Sequence, residues 1–233
     1  MKIALLGYGK MGKTIERLAL EKGHEIVFKS TSTHEEGNLQ QADVAIEFSL
    51  PEVVVSNLIH CFENEIPVVC GTTGWLDHYD EIIKICEDRN GTFLYASNFS
   101  IGVNLFFGLN SYLAKLMSSW KDYQPSIEEI HHTQKLDAPS GTAITVAEGI
   151  LEHSNKSNWK LDTDDASELN IHSIREGDVK GTHSVTYTSE VDSILIKHEA
   201  HTRDGFAMGA ILAAEWLQDK KGVHTMQEVL QMK

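Results

Sequence analysis

The first twelve residues constrain the fold more than any other part of the chain. Ile3-Ala4-Leu5-Leu6 is a short, continuous apolar run, and Gly7-Tyr8-Gly9-Lys10-Met11-Gly12 follows it directly. Met11, Ile15, Leu18 and Ala19 then recur at helical spacing, and Gly23 marks a stop. A buried strand that turns through three glycines into a helix is the opening of a dinucleotide-binding βα unit. Gly7 allows the tight turn, Gly9 lets backbone approach a pyrophosphate, Gly12 lets helix pack on strand, and the helix N-terminus attracts the negative charge. The competing reading is a glycine-rich turn that binds nothing.

The pattern downstream agrees with the opening. Strands are expected at Glu25 to Ser30, Val44 to Phe48, Val68 to Cys70 and Thr92 to Tyr95. Between them fit a helix that opens at Pro51, with Val55, Leu58, Ile59 and Phe62 inward, and another from about Asp77 to Arg89 that ends at Asn90-Gly91. Such alternation predicts a parallel sheet covered on both faces. After Ala96 the rhythm changes. A helix from Val103 to Met117, a strand near Ser126 to Ile130, a helix from Thr142 to Leu151, a polar excursion from Glu152 to Asn170 and strands at Ile171 to Arg175, Thr182 to Thr188 and Ile194 to Ala200 describe a different layout. An apolar helix, Phe206 to Leu217, follows. The fold class is therefore α/β: a Rossmann-type dinucleotide-binding domain of residues 1–100 plus 205–233, with a second α+β substrate-binding and oligomerisation domain of residues 101–204.

Charge decides which partners to expect. A formal net charge of −14 argues against nucleic acid and anionic membranes, which need clustered Lys and Arg, but not against small anions held by a few donors in a cleft. The longest apolar runs are broken within a few residues, so neither a bilayer span nor a signal sequence is expected and the protein should be cytoplasmic. Cys61, Cys70 and Cys86 are odd in number and lack CxxC spacing, which predicts buried free thiols.

Three further segments carry chemistry. The second strand ends in Phe28-Lys29-Ser30-Thr31-Ser32, with no carboxylate to hold an adenosine ribose, so a 2′-phosphate on Lys29 is tolerated or preferred; the alternative is a solvated lysine. Gly71-Thr72-Thr73-Gly74 and Ser97-Asn98-Phe99-Ser100 each follow a strand, at the carboxyl end of the sheet where ligands bind. Finally, Glu128 to Thr142 crowds His131, His132, Lys135 and Ser140-Gly141-Thr142 into fifteen residues. Imidazoles pass protons near neutral pH, a lysine fixes an anion, and a Gly-Thr pair opening a helix offers amides to a carboxylate. His131, His132, His198 and His201 also raise a metal site, but adjacent histidines rarely reach one ion and no Cys or Glu completes a known spacing, so no metal is expected.

Taken together, the GxGxMG opening, Gly71-Thr72-Thr73-Gly74, Ala96-Ser97-Asn98-Phe99-Ser100, the HHxxKxDAPSGT element and Phe206-Ala207-Met208-Gly209-Ala210 resemble the 4-hydroxy-tetrahydrodipicolinate reductase family over nearly the whole chain. Two departures stand out: the glycine loop is shorter than the family's usual GxGGRMG, and Thr31 stands where many relatives carry Glu. The resemblance implies an NAD(P)H-dependent reductase of lysine and diaminopimelate biosynthesis, a cyclic dicarboxylate substrate and a homotetramer. It implies His131 as proton donor or acceptor and Lys135 as second proton donor and carboxylate ligand. His132, Gly141 and Thr142 would bind substrate. Gly7, Tyr8, Gly9, Lys10, Met11, Gly12, Gly71, Thr72, Thr73, Ser97, Asn98, Phe99 and Ser100 would line NADPH or NADH. Strands whose apolar residues Val185, Tyr187, Ile194 and Ile196 want cover add to the expectation of a tetramer. The rival readings are another Rossmann-type amino-acid or imine dehydrogenase, which should lack the DAPSGT element, and a nucleotide sensor, which has no need of the histidines and lysine.

Overall fold

Parallel β-strands joined by helices begin the chain in the computed structural model, which describes residues 1–232. The strands are β1 (Lys2–Leu6), β2 (Glu25–Ser30), β3 (Glu35–Gly37), β4 (Val44–Glu47), β5 (Val68–Cys70) and β6 (Thr92–Tyr95), and the helices α1 (Lys10–Glu21), α2 (Pro51–Glu63) and α3 (Tyr79–Asp88). Then come α4 (Ile101–Met117), β7 (Gln124–His131), α5 (Gly141–Leu151), β8 (Trp159–Leu161), β9 (Leu169–Arg175), β10 (Thr182–Thr188), β11 (Ser193–Glu199), α6 (Asp204–Leu217), β12 (Gly222–His224) and α7 (Met226–Val229). Two compact units result: Met1–Ile101 with the segment that begins at Asp204, and Gly102–Arg203.

In the first unit the strand order is β12-β6-β5-β4-β1-β2-β3, all parallel except β3, which runs antiparallel to β2. Order reverses between β1 and β4, so the helices that follow those two strands, α1 and α2, cover opposite faces of the sheet, and the carboxyl ends at such a point are the general ligand position of open α/β sheets. Both faces are buried. Ile3, Leu5 and Ile46 point to one core shared with Ile15 of α1 and the small residues of α6, while Ala4, Leu6 and Ala45 point to another shared with Val54, Leu58 and Phe62 of α2. Alternate residues of one strand thus serve opposite cores, which explains why these strands read as continuous apolar runs. α6 can lie this close because Gly209 sits on the Phe99 carbonyl, where a Cβ would come to 1.7 Å. Arg17 with Asp204, and Lys22 and His24 with Glu215, tie α1 to α6 along its exposed flank.

The second unit is a five-stranded sheet, β11-β10-β7-β9-β8, with α4 and α5 on one face. Phe106 and Ala114 of α4 and Val146 and Ile150 of α5 bury Ile127, Ile171, Val185 and Tyr187. Val185 and Tyr187 therefore need no partner subunit for cover, contrary to the sequence expectation; the bare face of the sheet is the opposite, mostly polar one. Other expectations shift too. The stretch 152–170 contributes β8 as well as surface loop, α2 buries Val54 and Cys61 fully while Val55 and Ile59 pack partly buried against the same core, and β7 runs through His131, placing that residue on a strand instead of in a loop. Cys61, Cys70 and Cys86 are buried free thiols, as composition suggested. Among the described residues no helix is long and apolar enough to cross a membrane.

Candidate active site

The glycine turn at the end of β1 is built by backbone contact. Gly7 has φ +100°, and a Cβ there would stand 2.1 Å from the Phe48 carbonyl oxygen, so the β1 and β4 loops touch main chain to main chain at the point where strand order reverses. The Ser30 carbonyl accepts from the amides of Gly7 at 3.2 Å and Tyr8 at 2.9 Å, fixing the turn against the end of β2. Gly12 lies against the Gly7 carbonyl, where a Cβ would come to 2.3 Å. Gly9 caps α1 without a side chain, a Cβ built there meets nothing within 4 Å, and the first intrahelical bond runs from Lys13 to Gly9. The amides of Lys10, Met11 and Gly12 thus lie ahead of the helix ladder beside open space, a cradle suited to a pyrophosphate.

Around this turn the side chains are partly committed to one another. The Tyr8 hydroxyl donates to Glu16, and Lys29 Nζ stands 2.6 Å from Glu16 Oε1 with its charge over the Tyr8 ring. The Glu16 hydrogen bond raises the lysine's pKa. Lys29 is therefore paired, and Glu36 of β3 stands opposite it in register, so acidic groups flank the end of β2 that the sequence showed as free of carboxylates. The Gly71 loop is held likewise. Fully buried Glu47 accepts from Thr72 Oγ1 at 2.6 Å, Asn57 Nδ2 at 3.3 Å, the Ser49 amide at 3.2 Å and the Ser49 hydroxyl. Thr72 Oγ1 in turn accepts from Ser49 at 2.8 Å. Its hydroxyl thus braces two loops instead of facing open space, whereas Thr73 is exposed. Phe99 is buried in the core and Ser100, whose amide donates to the Asn98 side chain, is buried too, so of that segment Ser97 and Asn98 stay nearest the surface.

In the second unit, strand register assembles a site that the linear sequence does not show. Glu129 and His131 point to the same face of β7 because they are two residues apart. In register with Glu129 are His183 on β10 and Ser173 on β9; opposite His131 is Arg175. Glu129, fully buried, accepts from Ser173 Oγ at 2.7 Å, Arg175 Nη2 at 3.2 Å and the Ser140 amide at 3.1 Å to each oxygen. Against the cost of burial, His183 first, then Ser140 and Ser173, hold the carboxyl well below the usual range. His131 Nδ1 lies 3.5 Å from Glu129 Oε2, and His183 Nε2 3.6 Å. Burial first, then His183, Lys135 and Arg175, push the His131 imidazole down to about 4 against the opposing pull of Glu129. Gly181 is flush with the ring, since a Cβ there would lie 3.2 Å from Nε2.

Around His131 the loop and α5 complete the arrangement. Ser140 caps α5 by accepting from Ala143 at 3.1 Å, and the helix ladder begins at Ile144, leaving the amides of Gly141 and Thr142 ahead of it. A Cβ on Gly141 would meet nothing within 4 Å. Lys135 Nζ donates to both oxygens of Asp137, at 2.9 and 2.8 Å, so Asp137 occupies the place that a ligand carboxylate could take. Arg175 donates to the carbonyls of Lys135 and Asp137 at 3.3 and 2.6 Å, pinning the loop to β9. His132 is half-buried. Glu129, His131 and His183 could together approach an ion, yet three donors already claim the carboxylate, which favours a hydrogen-bonded cluster over an ion cage. Sequence reading missed Glu129, Ser173, Arg175 and His183; only the position of Glu129 two residues before His131 hinted at any of them.

Comparison with known proteins gives a consistent answer. The family model described as dihydrodipicolinate reductase, N-terminus, matches residues 1–99, and its C-terminus counterpart matches residues 102–230. The chain is 53% identical over 233 residues to a 4-hydroxy-tetrahydrodipicolinate reductase of Christiangramia forsetii, covering 99% of this chain and 98% of that one. It is 37% identical to a protein of the same description from Rickettsia rickettsii, covering 95% of each. Its fold matches the dipicolinate-bound dihydrodipicolinate reductase of Paenisporosarcina sp. TG-14 with a TM-score of 0.78 at 22% identity, over 98% of both chains.

Proposed function

The chain belongs to the dihydrodipicolinate reductase family, and from that premise we propose how its side chains divide the work. The reaction is the NAD(P)H-dependent reduction of 4-hydroxy-tetrahydrodipicolinate to tetrahydrodipicolinate in lysine and diaminopimelate biosynthesis. The observation that carries the residue assignment is the cluster in the second unit: a buried imidazole at a strand end, a lysine on a carboxylate, and a helix opening with free-standing amides. Lys135 exchanges Asp137 for one substrate carboxylate, and Gly141 and Thr142 take the other. When bound, a nicotinamide supplies the two electrons as hydride, and the glycine cradle of the first unit fits its pyrophosphate. Once the 4-hydroxyl has left as water with a hydrogen from C3, hydride at C4 turns the conjugated cyclic imine into an electron-rich enamine, which needs one proton that His131 or Lys135 delivers and solvent restores. His132 orients the substrate. Loss of nicotinamide absorbance on adding freshly made product of dihydrodipicolinate synthase is the expected result; a preparation that binds NADH yet leaves that absorbance unchanged overturns the assignment.

Cofactor choice follows from Lys29 and Glu16. We infer that both NADH and NADPH are used, NADPH at least as well, because Lys29 can leave Glu16 for a 2′-phosphate. Glu16→Ala should then tighten NADPH, and Lys29→Ala should weaken it by about one to two powers of ten, with NADH little affected in either. Titrations showing NADH tenfold tighter than NADPH, with Lys29→Ala altering neither, contradict this reading.

A homotetramer is the proposed assembly, formed through the bare face of the second sheet. Ser126, Glu128, His172, Ser184, Leu195 and Lys197 line a trough of about 390 Å³ there, and Leu195 is 60% exposed. Such a broad uncovered sheet face, continuous with a free β11 edge, suits pairing with copies of itself. Sedimentation at micromolar concentration should report four chains, and Leu195→Asp should shift the population towards smaller species; a wild-type monomer contradicts the proposal. The buried free thiols fit a reducing compartment, so the cytoplasm is the proposed location.

A further inference from the structure

The two oxygens of Glu129 are not equivalent. Oε1 receives three donors, the Ser140 amide at 3.1 Å, Ser173 Oγ at 2.7 Å and Arg175 Nη2 at 3.2 Å. Oε2 receives only the Ser140 amide and faces His131 Nδ1 at 3.5 Å and His183 Nε2 at 3.6 Å. His131 Nδ1 is buried and forms no tighter bond to any other group among the described residues. A neutral imidazole carries one N–H and one lone pair. A lone pair at Nδ1 would oppose the carboxylate in a dry site, whereas an N–H there satisfies both groups.

We propose that Glu129 is the positioning residue of this site: through Oε2 it holds His131 as the Nδ1–H tautomer and leaves Nε2 to exchange the proton, while through Ser140 it anchors the helix opening that receives the substrate carboxylate. The inference rests on the role given to His131 above. One buried carboxylate thereby couples the proton-transfer nitrogen to the anion-binding turn, since the Ser140 amide binds Glu129 and the Ser140 hydroxyl both caps α5 and lies 3.1 Å from His183 Nε2. His183 is the second imidazole on the same oxygen, its ring 5.0 Å from that of His131 and edge-on to it. The remaining charged and titratable groups around the pair are Arg175 from β9, Lys135 from the loop, and His198 of β11, across from His183. The cations disfavour a second positive charge on His131, and burial acts in the same direction, so the ring is neutral at pH 7.5 and its tautomer is well defined.

A substitution separates this role from simple support. In Glu129→Gln the amide oxygen suits the Oε1 position, where three donors converge, and this turns the amide nitrogen towards the imidazoles. His131 Nδ1 must then accept instead of donate, and the proton moves to Nε2. Long-range ¹H–¹⁵N correlation at pH 7.5, with His131 assigned by comparison with His131→Asn, reads this directly in the unliganded protein. The wild type should show a protonated Nδ1 and a bare Nε2, Glu129→Gln the reverse, and kcat should fall roughly 10²- to 10⁴-fold with the nicotinamide KM unchanged. A wild-type His131 protonated at Nε2 overturns the proposal without any variant. So does a Glu129→Gln enzyme that keeps the wild-type tautomer or keeps kcat within twofold. Failure of the wild type to reduce 4-hydroxy-tetrahydrodipicolinate overturns the functional assignment instead and leaves the tautomer measurement standing.

Discussion

His131→Ala should lower kcat by about 10²- to 10⁴-fold and leave NADH binding within about twofold of wild type, because the imidazole belongs to the second unit and the phosphate cradle to the first. Lys135→Ala should lose a comparable factor, divided differently. If Lys135 releases Asp137 to hold a substrate carboxylate, its removal raises the substrate KM as well as lowering kcat. Steady-state kinetics with fresh substrate and fluorescence titration of the nucleotide measure both. The assignment fails if either variant turns over at near-wild-type rate, or if nucleotide affinity falls in step with activity. The imidazole's position at the end of β7, against Gly181 and behind Glu129, argues that truncation leaves the strand intact.

Gly7→Ala should damage both the stability and the nucleotide binding of the first unit. At φ +100° an alanine is strained, and its Cβ would stand 2.1 Å from the Phe48 carbonyl oxygen, so either the β1 turn or the β4 loop must move. Strain and overlap together should cost about 2 to 5 kcal/mol, a fall in Tm of roughly 5 to 15 °C for a chain of this size. Nucleotide affinity should fall at least tenfold. Gly9→Ala is the informative companion: its φ is −84° and its Cβ meets nothing within 4 Å, so the fold should keep its Tm while the pyrophosphate loses its approach. Thermal melts and NADH titrations of the two variants thus separate damage to the turn from obstruction of the ligand. A Gly7→Ala protein that melts within 2 °C of wild type, or a Gly9→Ala protein with undiminished affinity, would refute this account of the cradle.

Legibility varied with how local the determining physics was. β1, β4, β5 and β6 could be read because strands buried on both faces are continuous apolar runs, and the turn after β1 because three glycines at fixed spacing meet one geometric need. β3 could not be read, since Glu35-Glu36-Gly37 has no apolar residue and is a strand only through its pairing with β2. β8 and β12 are equally short and are likewise defined by their neighbours. In α2, apolar residues at 53 to 55, 58, 59, 61 and 62 leave the inward stripe ambiguous, and packing buried Val54 and Cys61 fully and left Val55 and Ile59 at the margin of the same core. The same distinction holds at the site. His131, Lys135 and Ser140-Gly141-Thr142 are close in sequence and were visible; Ser173, Arg175 and His183 come to Glu129 only when β7, β9 and β10 align, which no short-range pattern encodes. Lys29 shows the converse, a residue whose position was right and whose partner, Glu16, was not foreseen.

The return of the chain to its first sheet has a bearing on biosynthesis. α6 fills the core against β1 and β4, and β12 pairs with β6 along Gly222 to His224, so the nucleotide-binding unit is finished by residues made more than a hundred positions after its sixth strand. On the ribosome, the inserted unit has all its strands and both its helices in hand while the first still lacks the helix that covers Ile3, Leu5 and Ile46. Vectorial order is thereby inverted. The segment encoded in the middle of the chain is free to settle first, and the amino-terminal half waits, with one apolar sheet face open, for the last residues to emerge.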